Sequence, residues 1–128
     1  MQENYNIITS VPRVGAISAV TLLSELPELG KIGRQQISAV VGLAPFNKDS
    51  GTVRGKRSIF GGRKNVRNTL YMAAMVAIRH NNFYKKKFQS LEKKPFKVAI
   101  TAIMRKLIVL LNSMIKSKTI WDLNIMTS

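Results

Sequence analysis

The segment Phe96–Ile115 constrains the fold more than any other. Ala99, Ile103, Leu107, Leu110 and Met114 form one apolar row at helical spacing, and Ile100, Met104, Ile108, Leu111 and Ile115 form a second row beside it. An apolar face this broad must be covered by other elements, so the spacing predicts a central core helix that Pro95 opens. Its short length and its midpoint charges, Arg105 and Lys106, argue against a membrane span. With no signal peptide at 1–10 either, no membrane partner is expected.

Shorter helices are expected around it. Ala16–Leu26 is an apolar, helix-compatible run that Pro27 and Gly30 stop. Gly33–Val41 carries Ile37, Val40 and Val41 on one face, and Arg63–His80 carries Val66, Leu70, Ala73 or Ala74, Ala77 and Ile78. In Asn81–Leu91, Phe83, Tyr84 and Phe88 bracket Lys85, Lys86 and Lys87. The spacing favours Phe83 and Phe88 packing inward with the lysines solvated; aromatics that stack bases are the alternative. Residues 1–9 read as the end of a helix, and 117–128 as a frayed tail. Only Gly55–Gly61 resembles a strand, as a short hairpin arm. The fold class expected is all-α, in a single domain over 1–128 whose helical core is 63–116.

One stretch cannot join that core. Gly42–Arg67 holds five of the eight glycines and the basic side chains Lys48, Arg54, Lys56, Arg57, Arg63, Lys64 and Arg67. So polar and glycine-rich a segment is expected to be a long basic surface loop, and loops of this length are usually functional or disordered. Arg63, Lys64 and Arg67 fall in the first turns of a helix, where the dipole disfavours cations, so an external anion is expected there. Gly51, Gly55, Gly61 and Gly62 would let a ligand approach the backbone closely.

The charge balance points to what that anion is. There are 21 Lys and Arg against 6 Asp and Glu, a net charge of +15. Most cations therefore lack an internal partner, and a polyanion would relieve their repulsion. DNA or RNA is the expected partner. The absence of cysteine excludes disulfides and thiolate zinc sites, and a single histidine, His80, makes no metal cluster. No metal site is expected in this domain.

Two motifs carry possible chemistry. Val11-Pro-Arg-Val-Gly15 before a helix resembles the hairpin of a helix-hairpin-helix DNA-binding motif (residues 9–41), which presents backbone N–H groups to a phosphate. Arg13 stands where that hairpin usually has glycine, and Gly15 is free to take a positive φ; an ordinary turn fits the same residues. Ser50, between Asp49 and Gly51, is a turn residue by composition and a candidate nucleophile by its cationic neighbourhood. No general base and no carboxylate cluster for Mg²⁺ accompanies it. From the residues alone the chain is a nucleic-acid-binding domain with an unassigned nucleophile. An oligomerisation domain built on the Ala73, Ala74 and Ala77 helix is the remaining alternative.

A run of motifs narrows this. Val14-Gly15, Leu23–Gly30, Gly42–Phe46, Asp49–Gly51, Gly55–Arg57, Ile59–Arg63, Val66-Arg67, Leu70–Met72, Lys97–Ala99 and Met104–Leu107 together resemble the C-terminal domain of insertion sequence 110 family transposases, from about Thr9 to Trp121. The resemblance implies that Ser50 is a nucleophile forming a phosphoserine link to DNA during strand exchange. It implies an N-terminal RuvC-like domain, absent from this chain, whose acidic residues bind Mg²⁺. It also implies a guide RNA encoded by the element, a homo-oligomer and a bacterial cytoplasmic, nucleoid-associated location. The 128 residues alone should then bind nucleic acid without recombining it. Arg13, Lys48, Arg54, Lys56, Arg57, Arg63, Lys64 and Arg67 are assigned as its phosphate contacts, with Gly15 at a close backbone approach.

Overall fold

The computed structural model describes residues 2–43 and 63–122. These form six α-helices: α1 Gln2–Thr9, α2 Ala16–Glu25, α3 Arg34–Val40, α4 Lys64–His80, α5 Asn82–Ser90 and α6 Phe96–Ser117. No strand occurs among the described residues, and the fold is all-α. The basic stretch 44–62, with the hairpin arm expected at Gly55–Gly61, lies outside them.

Helix α6 is the axis of the molecule. α1, α3, α4 and α5 all pack on it, and α2 closes the far side by packing on α1 and α4. Ala99, Ile100, Ile103, Met104, Leu107, Ile108, Leu111, Met114 and Ile115 are buried along it. Leu110 is only partly buried, at the edge of the apolar face. By length (22 residues) and mean hydropathy (1.8) α6 is apolar enough to cross a membrane, which overturns the argument from its length. At 1.5 Å per residue it spans about 33 Å. What marks it as a core helix is burial: 56% of its most apolar window is covered by the rest of the fold.

Asn112 is the polar exception in this face, 3% exposed. Its Oδ1 accepts the Gly30 N–H at 2.6 Å, and its Nδ2 donates to the Ile32 carbonyl at 3.0 Å. One amide thus satisfies both backbone groups of the turn linking α2 to α3, which burial would otherwise orphan. Gly30 is fixed by the same contact. It adopts φ +83°, and a Cβ there would collide with Ile115 Cγ2. Two helix starts, those of α3 and α5, carry a local side-chain hydrogen bond. Gln36 Oε1 accepts from Gly33 N–H at 2.8 Å ahead of α3, and Asn81 Oδ1 accepts from Tyr84 N–H at 3.2 Å at the start of α5.

Three expectations change. In α5 the inward aromatic is Tyr84, 4% exposed, while Phe83 is 41% exposed and Phe88 partly buried. Phe83 packs edge-on against Tyr84. The chain after α6 is docked as far as Asp122, not frayed: Lys118 ends the helix in a left-handed conformation, and the Trp121 N–H donates to Ser10 Oγ at 2.8 Å. Trp121 packs against the core, and Lys118 Nζ reaches Glu3 and Asn4 on α1. In the hairpin, Gly15 is extended with φ −90°; the positive φ, 73°, belongs to Arg13.

Candidate nucleic-acid interface

Three arginines anchor the two ends of the 44–62 stretch. On the entering side, Leu43 is buried, and its carbonyl accepts from Arg105 Nε of α6 at 3.0 Å. Just before it, the Val41 carbonyl accepts from Arg67 NH1 of α4 at 3.3 Å. Gly42, at φ +80°, lets that guanidinium sit against the backbone: an added Cβ would meet Arg67 NH1 at 3.1 Å. The Leu43 N–H also donates to the Ser38 carbonyl at 2.8 Å. On the leaving side, Arg63 forms a two-pronged pair with Glu28, NH1 to Oε1 and NH2 to Oε2, both at 2.8 Å. The stretch carrying Ser50 is thus clamped at both ends by the helical core.

This geometry changes the account of the cations at the start of α4. The carboxylate answering Arg63 is the protein's own Glu28, and Glu25 accepts from Asn65 Nδ2 at 3.1 Å. Both acids sit near the positive end of the α4 dipole, where carboxylates are favoured. The hydrogen bond from Arg63 holds the Glu28 carboxyl below the usual range, and the same bond raises the Arg63 guanidinium. Glu25 and Glu28 are therefore clasps between the end of α2 and the start of α4. Lys64 is exposed, with no partner among the described residues.

Of the residues singled out in the sequence, the structure places Arg63, Lys64 and Arg67 together on the first turns of α4. Arg13 and Gly15 lie apart from these, in the turn between α1 and α2. Arg13 is exposed, and space is open in front of Gly15, where an added Cβ meets nothing within 4 Å. Ser50, Lys48, Arg54, Lys56, Arg57, Gly51, Gly55, Gly61 and Gly62 lie outside the described residues. Among the described residues no group of three His, Asp or Glu side chains could hold a metal ion.

Arg105 was missed as a site residue. Its signal was a cation between Met104 and Leu107 on the central core helix, and such a charge needs a polar reason to be there. Here the reason is the Leu43 carbonyl.

The family described as Transposase IS116/IS110/IS902 matches residues 5–89. That span runs from α1 to the end of α5 and contains Ser50. It stops before α6, so the likeness of residues 97–107 rests on their sequence motifs. No curated protein and no solved structure matches the chain.

Proposed function

The chain belongs to the IS116/IS110/IS902 family of transposases, and from that membership we propose that it is the DNA-binding, serine-bearing domain of an insertion-sequence transposase. The observation that carries the reading is the family match across Ser50, on a stretch whose two ends are clamped to the core by Arg63, Arg67 and Arg105. A nucleophile for strand exchange must be held in register with its DNA, and anchored loop ends meet that need.

In this reading Ser50 Oγ attacks a DNA phosphorus. The Oγ–P bond forms, the strand's P–O bond breaks, the hydroxyl proton is lost and the leaving oxygen gains one. Lys48, Arg54, Lys56 and Arg57 supply positive charge to the developing phosphorane, and Arg13, Lys64 and Arg67 hold flanking phosphates. Arg63 contributes to the positioning of the loop through Glu28. The hairpin Pro12–Gly15 acts as a helix-hairpin-helix-type phosphate contact. The described residues do not fit a Mg²⁺ site, so no step is assigned to the ion here; its acidic ligands belong to a separate RuvC-like domain. A guide RNA and further copies of the transposase, in a bacterial cytoplasm, complete the proposed assembly.

The test is adduct trapping with a nicked DNA substrate in the complete transposase. Wild-type protein is expected to give a denaturant-stable protein–DNA band, and Ser50→Ala to abolish both that band and recombination. An adduct that survives Ser50→Ala would falsify the nucleophile and leave a non-catalytic DNA- or RNA-binding module.

A further inference from the structure

We propose that the groove between α3, α5 and α6 binds single-stranded nucleic acid, with an unpaired base on Phe83 and flanking phosphates on Arg34, Lys87, Arg105 and Lys106. This rests on the reading of the chain as a nucleic-acid-acting domain, but it uses residues that the Ser50 stretch does not contain.

The groove has a volume of about 580 Å³, and no carboxylate among the described residues lines it. That volume is within the range of about 300–1,000 Å³ usual for ligand sites. Among the described residues none of its four cations pairs with an acid: the ion pairs found there are Arg63–Glu28 and Lys118–Glu3. Arg105 spends only its Nε on Leu43, leaving both terminal nitrogens without a partner among those residues. Like charges gathered in a concave site focus a positive potential, and an anion relieves their repulsion.

Phe83 decides between a single strand and a duplex. Phe83 is 41% exposed, and buried Tyr84 supports its ring edge-on at 5.4 Å between centroids. A supported aromatic among cations suits a splayed base, whereas bases in a duplex are already stacked. Phe83 and Tyr84 also line a second cleft, on the hairpin side, together with Pro12, Arg13 and His80. The two clefts meet at Phe83, so a strand crossing it would have cations on both sides. Through Arg105 the groove also adjoins Leu43, the residue next to the stretch carrying Ser50. A strand held there lies beside the anchored root of that stretch.

The experiment is fluorescence anisotropy on the full chain with labelled oligonucleotides of about 12 nucleotides, a length that suits single-strand sites. Single-stranded DNA, single-stranded RNA of the same sequence and duplex DNA are titrated over a range of salt. The groove variants are the double Lys87→Gln/Lys106→Gln and the single Phe83→Ala. Phe83→Leu, which keeps an apolar contact with Tyr84, replaces Phe83→Ala if the latter lowers the melting temperature. Arg54→Gln/Arg57→Gln is the comparison in the Ser50 stretch.

Each groove variant is expected to weaken single-strand binding about tenfold or more. The lysine double should also flatten the salt slope by about 1.4, at about 0.7 for each phosphate no longer neutralised. Duplex affinity should change less than about twofold in these variants and fall in the loop variant. A stronger effect on RNA than DNA, or the reverse, identifies which strand the groove takes. Unchanged single-strand affinity in the groove variants, or equal losses on strand and duplex, overturns the inference and leaves the proposed function standing. Wild-type protein that binds no nucleic acid overturns both.

Discussion

Arg13 adopts a backbone conformation that L-residues avoid. At φ 73° its Cβ crowds the following carbonyl, at a cost of about 1–2 kcal/mol. Glycine would remove that cost while adding some chain entropy to the unfolded state. Arg13→Gly is therefore expected to raise stability by about 0.5–1 kcal/mol, read as a higher urea midpoint at constant m-value. If Arg13 holds a phosphate, the same variant should bind duplex DNA more weakly and lose about 0.9 from the salt slope. A variant more stable yet weaker in binding means that strain is kept for function; a lower urea midpoint refutes the strain account. The sequence showed a turn through Pro12 and Gly15, but it did not show which residue would carry the positive φ. That depends on how Val11 and Val14 are both drawn into the core. Asn112 and Arg105 were hidden for a related reason. Each interrupts an apolar pattern, and only the backbone groups opposite, at Gly30, Ile32 and Leu43, explain the interruption.

Among the elements, the junction of α2 with α4 carries the clearest electrostatic signature. Glu28 and Arg63 are 35 residues apart in sequence, and each side chain is about a third exposed (31% and 29%), so solvent screens the pair substantially. Glu28→Gln is expected to cost about 1 kcal/mol at neutral pH, the upper end for an exposed pair, because the geometry is bidentate. The pH dependence follows from the lowered Glu28 carboxyl. The folded state binds its proton less readily than the unfolded state, so the stabilisation is complete above the ordinary carboxyl value of 4.5. It is lost as pH falls below that value toward the lower folded one. Wild-type and Glu28→Gln urea midpoints should therefore converge on acidification below pH 4.5; a constant gap between them would mean that the pair acts through packing alone. The helices themselves were legible, because their apolar spacing reflects the same burial that forms them. Ala16–Glu25, Arg34–Val40, Lys64–His80 and Phe96–Ser117 each start and end within two residues of the expected bounds. The clasp was not legible, because nothing local in Glu-Leu-Pro-Glu says which arginine will arrive. Of the candidate site, Arg63, Lys64 and Arg67 stand at the start of α4 where the sequence put them, while Ser50 and the glycines around it lie outside the described residues. The anchoring was not legible, since Arg67 and Arg105 bind only backbone carbonyls, which every residue has.

At the scale of the whole molecule, a net charge of +15 on 128 residues opposes compaction. Arg63–Glu28 and Lys118–Glu3 are ion pairs among the described residues, and 6 acids in the chain cannot offset 21 cations. Folding brings the remaining cations closer together, and repulsion between exposed charges reaches about one Debye length. That length falls from about 30 Å at 0.01 M salt to about 8 Å at 0.15 M. Added salt screens the repulsion more in the folded chain than in the expanded one, so stability should rise across this interval. A chain of this size gains about 4 °C in Tm per kcal/mol, interpolating between smaller and larger domains, so a shift of several degrees is expected in sodium chloride. Exposed ion pairs move the other way, because salt weakens them, but two such pairs are outweighed by the unpaired cations. A polyanion should do more than salt. Duplex DNA bound to the folded state alone would raise Tm further at low salt, and the increment should vanish as salt releases the DNA. A Tm that is flat or falling with salt would mean that the cations are already neutralised within the fold, and the case for a polyanionic partner would then have to stand without the charge imbalance.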